Sequence, residues 1–374
     1  MRARAEDGAF TQPLSLTAIA QAIFAVRSPP PVRHLTIFAS LLATVSASSA
    51  SLEWTQLPPL PDRLGVAAPF AGVSGGALLV AGGANFPDKM PWEGGTKVWH
   101  DQVWLLPEPG GTWREAGKMP RPLAYGICVT AQDSVVCVGG SDAGRHFADA
   151  FRLRWKDGQL KTEALPPLPI ALSGGSGALV GETLYVACGS EEPGEKSATN
   201  RAFALDLSAP QPQWRELPPL PGRARILAAG AAVDDSFYVL GGAALVTDKG
   251  GKTAREYLKE AWRYREDSGW TRLADLPSPS VAAPSPAPVI DGRILLIAGD
   301  DGSRVGFQPV AEHPGFPKTI LSYEPATNRW SEARDTPAPR ATVPCVEWLG
   351  RYVIPSGEVR PGVRSPEVWT LSNE

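Results

Sequence analysis

Two short signals recur six times along this chain, and they alternate in phase. The first is a Trp seven residues ahead of a Pro: Trp54 and Pro61, Trp113 and Pro120, Trp214 and Pro221, Trp270 and Pro277, Trp330 and Pro337. The same offset back from Pro169 falls on Thr162, so one copy has no Trp. The second is an apolar run ending in a Gly pair or its remnant: Gly82-Gly83, Gly139-Gly140, Cys188-Gly189, Gly241-Gly242, Gly299-Asp300 and Ser356-Gly357. Successive Trp–Pro marks lie 49 to 60 residues apart. A unit of that size cannot bury its own apolar face and must stack on its neighbours.

Each copy reads as four short strands. In the first, Val66–Val73 and Ala77–Ala81 meet at a Ser-Gly-Gly turn, Trp99–Leu106 is the third strand and the fourth carries Trp113. In the fourth copy the strands are Ile226–Val233, Phe237–Leu240, Glu260–Arg265 and Trp270–Leu273. Four strands per period of about 50 describe the blade of a β-propeller. The sixth copy has Thr342–Trp348, Arg351–Ile354 and Pro366–Leu371 but no fourth strand, while the Trp54 strand stands alone at the start. The expected fold is therefore all-β: a six-bladed propeller over residues 51–374, its last blade closed by the N-terminal strand. Closure pairs both open edges. The 374 residues then make one ring plus an extension, not two domains.

Charge excludes several function classes. With 36 basic and 39 acidic residues the formal net charge is -3, which is no footprint for nucleic acid or an anionic membrane. Residues 1–50 are read as an extension. After Arg33-His34 comes an apolar run from Leu35 to Val45, then Ser46-Ala47-Ser48-Ser49-Ala50, the order of a secretory signal and its cleavage site. The run is too short to span a bilayer. A periplasmic or secreted, monomeric ring is the expectation, with no membrane span. Cys128 and Cys137 flank a hairpin turn at Gln132-Asp133-Ser134 and are read as buried thiols on neighbouring strands, with a disulfide as the alternative.

The loops between second and third strands leave one face of the ring. Three are long: Ala84–Val98, Ala243–Lys259 and Asp301–Lys318. Function on a rigid scaffold concentrates in such loops, so the site is placed on that face, over the central channel. Arg63, Arg121, Arg223, Arg225 and Arg340 follow fourth strands. Glu358, Arg360 and Arg364 follow the sixth Gly, and Glu93, Lys97 and His100 lie in or beside the first long loop. A guanidinium fork suits a carboxylate, which points to a small anionic ligand. The same Arg residues would equally serve by pairing with acids of neighbouring blades. His100, His146 and His313 share no spacing, and there is no P-loop, no G-x-S-x-G and no dinucleotide fingerprint. Asp300-Asp301 is read as a cation-binding option or a replaced turn Gly.

The Gly and Trp pattern resembles kelch repeats over residues 51–374. The segment Ser356-Gly357-Glu358-Val359-Arg360-Pro361-Gly362-Val363-Arg364 resembles the GE-x-x-PG-x-R signature of N-acetylneuraminate epimerases, the sialic acid mutarotases. Gly65-Val66 with Phe70-Ala71-Gly72, Glu93-Gly94 with Lys97, and Ala124-Tyr125-Gly126 are similar to the same family. In better-known members the Gly-Glu motif precedes the Phe-Ala-Gly blade; here it comes last, as in a cyclically permuted member. Leu123 departs from the Arg that precedes Ala-Tyr-Gly in those relatives. The resemblance implies a mutarotase that interconverts the α and β anomers of N-acetylneuraminate by general acid–base catalysis, with no cofactor and no metal. It makes Glu358 the catalytic acid/base and Arg364 the substrate-binding partner. Tyr125 is the candidate for a second proton donor. Arg360, Glu93, Lys97, Arg223 and Arg340 are the further candidates for substrate binding. The competing readings are a non-enzymatic kelch module for a protein or glycan, and an isomerase for another acidic sugar.

Overall fold

A computed structural model describes residues 52–194 and 196–373. The expected signal segment lies outside the described residues. Six four-stranded antiparallel sheets follow one another along the chain. The first holds Phe70–Ser74, Ala77–Ala81, Gln102–Leu106 and Arg114–Lys118, and the next four repeat that order. The sixth is built from Val346–Trp348, Arg351–Pro355 and Val368–Asn373, and its outer strand is Leu52–Leu57. All six residues of that strand are in register with the C-terminal strand, from Leu52 opposite Asn373 to Leu57 opposite Val368. The ring closes as the repeat pattern requires.

The core is divided into wedges between neighbouring blades. Phe70, Leu79 and Leu105 of the first blade pack with Val135, Cys137 and Phe151 of the second. Leu78 and Val80, on the other face of the same strand, pack with Val346, Val353 and Val368 of the sixth. A strand apolar on both faces is what a stacked blade needs. Indole N–H groups add a bolt at four of these junctions. Trp113 Nε1 donates to Pro58 O (2.7 Å), Trp214 to Pro166 O (2.8 Å), Trp270 to Pro218 O (2.8 Å) and Trp330 to Ala274 O (2.9 Å). Each acceptor lies just past the fourth strand of the preceding blade, so the repeated Trp is a fastener between blades. Trp214→Phe keeps the ring and loses the donor. Its unfolding free energy should fall by about 1 kcal/mol, read from the urea midpoint at unchanged slope.

Sequence-based boundaries err at the inner strands. Val66–Val73, Ile226–Val233 and Thr342–Trp348 were expected; the strands are Phe70–Ser74, Ala229–Val233 and Val346–Trp348. The reason is a left-handed residue just before each one: Ala68, Tyr125, Gly174, Leu227, Ala282 and Thr342 have φ between 50° and 62°. Each of these turns the chain into the channel. There the six form a closed circle of backbone hydrogen bonds. Ala68 N donates to Thr342 O, Thr342 to Ala282, Ala282 to Leu227, Leu227 to Gly174, Gly174 to Tyr125 and Tyr125 to Ala68, at 2.7–3.1 Å. Five non-glycine residues thus hold a conformation that costs each about 1 kcal/mol or more, and the circle offsets that cost.

The Gly-pair register also needs correction in the fifth blade. In every copy two consecutive left-handed residues end the second strand, and the second of them is always Gly: Gly83, Gly140, Gly189, Gly242, Gly299 and Gly357. A Cβ at Gly140 or Gly242 would lie 2.8 Å from a backbone oxygen, so only Gly fits there. The fifth pair is therefore Ala298-Gly299 and not Gly299-Asp300. Asp300 belongs to the next position. Cys128 and Cys137 are Cα partners, and both are free buried thiols; burial pushes the Cys128 thiol up to about 11.

Candidate active site

Immediately after each Gly stands one residue that bridges back to the lead-in of its own blade. These six are Ala84, Ser141, Ser190, Ala243, Asp300 and Glu358. Around the ring they read as two methyls, two hydroxyls and two carboxylates, with the two acids in adjacent blades. They stand above the circle of left-handed residues, beside a cavity of about 420 Å³ to which all six blades contribute. Ser141, Ser190, Asp300 and Glu358 line it, together with Lys97, Trp99, Tyr125, His146 and Arg255.

Glu358 is placed by a tight hairpin, Glu358–Arg360 with Val363–Arg364, which makes Glu358 and Arg364 direct Cα partners. Arg364 Nη2 lies 2.9 Å from Glu358 Oε1. The Arg364 side chain is 3% exposed against 16% for Glu358. Its Nε donates to Ala84 O at 3.3 Å, and its guanidinium lies 4.7 Å from the Phe86 ring centroid. Arg364, expected as the substrate-binding partner, is paired with Glu358, and of the two only Glu358 lines the cavity. Burial raises the Glu358 pKa above the ordinary 4.5, opposed by the positive charges of Arg364, Lys97 and Arg255 and reinforced by Asp300.

Lys97 and Tyr125 form the adjoining wall. Lys97 Nζ donates to Tyr125 Oη at 3.1 Å and sits 5.0 Å from the Tyr125 centroid, 5.6 Å from Trp99 and 5.8 Å from Phe86. The cation is thus aimed by aromatic faces. Across the cavity, the loop Ala243–Lys259 folds into a hairpin, Ala243–Thr247 with Thr253–Tyr257, and delivers Arg255. Two cations and two carboxylates in one pocket suit a ligand with an acid group and hydroxyls. His146 also lines the pocket, its Nδ1 3.0 Å from Ser190 O, and burial lowers its pKa.

The remaining candidates lie elsewhere. Arg360 Nη1 donates to Ala311 O at 2.7 Å, and Glu93 accepts the Met90 N–H at 3.1 Å to cap its own turn. Arg223 pairs with Glu256. Arg340 is buried, donating to Ser356 O at 3.2 Å and pairing with Glu367; Arg225, fully buried, pairs with Glu260. None of these five lines the cavity. Most of the Arg-rich rim therefore serves the ring, because a buried guanidinium needs an acid and carbonyls around it. Leu123 occupies the same place in its blade as Arg225 and Arg340 in theirs, and it is buried in the core. A change there does not reach the cavity lining.

Sequence reading gave Asp300 only as a cation-binding option or a replaced turn Gly, and missed Arg255, Tyr257 and the serines. The signal for Asp300 was available: it follows the one Gly present in all six copies, as Glu358 does. Among the described residues the exposed large apolar side chains are Leu64, Val98, Val246, Val305, Phe307 and Leu349, with a single aromatic. No helix among them is long and apolar enough to cross a membrane.

A family model described as N-acetylneuraminate epimerase matches residues 39–162 and 165–305. It stops short of the hairpin bearing Glu358 and Arg364. An N-acetylneuraminate epimerase of Haemophilus influenzae strain PittEE is 31% identical over 229 residues, 55% of this chain and 58% of that protein. One of Yersinia pestis strain Pestoides F is 37% identical over 128 residues, 30% of this chain and 32% of that protein. The chain thus spans little more than half the length of the first relative and about a third of the second in these matches. A solved structure titled "Structure of YjhT" superposes with a TM-score of 0.60 at 15% identity, over 85% of this chain and 99% of that one, a likeness of fold.

Proposed function

The chain belongs to the N-acetylneuraminate epimerase family, and on that premise we propose that it interconverts the α and β anomers of N-acetylneuraminate by general acid–base catalysis. The observation that carries this reading is Glu358, a carboxylate of raised pKa held by Arg364 at the wall of a cavity that also presents Lys97 and Arg255. Mutarotation opens a cyclic hemiketal to its keto form and closes it on the other face. Glu358 takes the proton of the anomeric hydroxyl as the bond from the anomeric carbon to the ring oxygen breaks. The ring oxygen takes a proton from Tyr125, whose Oη accepts from Lys97 and so keeps its own proton for the cavity. Closure reverses both transfers, so no proton is consumed. The acid group of the sugar, next to the anomeric carbon, is held by Lys97 and Arg255.

We further read the chain as a cyclic permutation of its family, which would explain a match that ends before the Gly-Glu hairpin. Residues 33–50 support a place outside the cytoplasm. The test is proton NMR of freshly released α-anomer, with and without protein, on acidic and neutral sugars. Faster exchange of N-acetylneuraminate than of neutral sugars is expected; no acceleration of any acidic sugar would refute the reading, and acceleration of a different acidic sugar would reassign the substrate. A base must be ionised, so exchange should fall as pH drops through the raised Glu358 pKa. The acid limb of kcat/KM is expected above 4.5, the ordinary glutamate value. A limb at or below that value would contradict Glu358 as the base.

A further inference from the structure

We propose that Asp300 is the specificity-determining residue that reads the hydroxyl-bearing side chain of the sugar. This inference rests on the mutarotase reading and adds to it. Asp300 occupies in the fifth blade the position that Glu358 occupies in the sixth: each follows the invariant Gly and bridges back to its own lead-in, Val281 for Asp300 and Ala341 for Glu358. Both line the same cavity.

The carboxylate is held in place from two sides. Tyr257 Oη donates to Asp300 Oδ2 at 2.6 Å, and the Gly302 N–H donates to Oδ1 at 3.0 Å. An ionised carboxylate has about four lone-pair sites, so each oxygen keeps capacity for one more donor. Two oxygens braced side by side accept best from two adjacent hydroxyls. In N-acetylneuraminate the ring offers none: position 3 is deoxy and position 5 bears the acetamido group. The adjacent hydroxyls are those of the three-carbon side chain.

Charge sets the same orientation. Asp300 repels the acid group of the sugar, whereas Lys97, held against Tyr125 on the wall of the same cavity, attracts it. The substrate therefore enters with its acid group toward Lys97 and its polyol toward Asp300. Tyr257 is the positioning residue. It lies on the hairpin that carries Arg255.

The experiment measures exchange kinetics by NMR for N-acetylneuraminate and for the analogue whose side chain has been shortened to one carbon by periodate oxidation and borohydride reduction. Wild-type protein should show a raised KM for the short analogue. Asp300→Asn should raise KM for the full sugar about 10- to 100-fold, as expected for a lost hydrogen bond to a charged group, with kcat little changed. For the short analogue the same substitution should change KM less than threefold, because the partner group is already gone. Tyr257→Phe, which keeps the carboxylate, should raise KM for the full sugar about threefold and for the short one hardly at all. Equal effects of Asp300→Asn on both sugars, or no effect on the full one, overturn the inference while leaving the mutarotase reading intact. If Asp300→Asn does not fold, equal effects of Tyr257→Phe on both sugars overturn it. Wild-type protein that accelerates neither sugar overturns both.

Discussion

Glu358→Gln should abolish accelerated anomer exchange, with a loss of about 10²–10⁴-fold, the usual contribution of one positioned acid–base group. The amide has nearly the shape of the carboxylate and still accepts from Arg364, so the hairpin and the ring should persist. What it cannot do is take a proton at a useful pH. The measurement is the NMR exchange rate at saturating sugar, beside the thermal midpoint of the variant. A rate within threefold of wild type would remove Glu358 from the chemistry. A collapsed thermal midpoint would show that the pair with Arg364 holds the fold, as a buried pair can when one charge is left unpaired. Arg364 should not be exchanged for a neutral residue in the same experiment, since it is paired with the carboxylate and its loss changes Glu358 itself.

Beginning the chain at residue 58 should cost the ring its cooperative stability. The strand Leu52–Leu57 pairs along its full length with Val368–Asn373, and Leu52 and Trp54 pack against the wedge between the fifth and sixth blades. Burying a large apolar side chain is worth about 1.5–3 kcal/mol. Several such terms plus a row of strand hydrogen bonds rival the 5–15 kcal/mol that separates folded from unfolded domains. The shortened chain should melt more than 10 °C below a chain beginning at residue 52, or precipitate through its open edge. Equal melting points would mean that the ring holds without its closing strand.

The six Trp–Pro and Gly marks made blade number, order and closure legible, because each mark answers a local demand. A left-handed turn against a backbone oxygen admits only Gly, and at four junctions an indole donor fastens the blade to the preceding one. Those demands recur with the fold, so they recur in the chain. The lost Trp at Thr162 did not hide its blade because the Pro and Gly marks remained. Glu358 was legible for a different reason, since a whole local motif surrounds it.

Lys97 and Tyr125 were legible through the same resemblance and line the cavity; the rest of the site was not. Arg225 and Arg340 look like binding residues in the chain and are buried inside the blades. Asp300 looked like half of a Gly pair, because the first pair position tolerates Ala298 in a left-handed conformation and the pattern slipped by one residue. In a strand or turn a shift of one residue exchanges inside for outside. Arg255 and Tyr257 lie in a long loop whose sequence does not say that it folds into a hairpin over the channel. By itself, then, the sequence determined a closed six-bladed ring and one acid beside its Gly turn, through contacts between near neighbours in the chain. Only the tertiary structure decided which charges face the cavity. That choice depends on how six blades, far apart in sequence, bring their equivalent positions to one mouth.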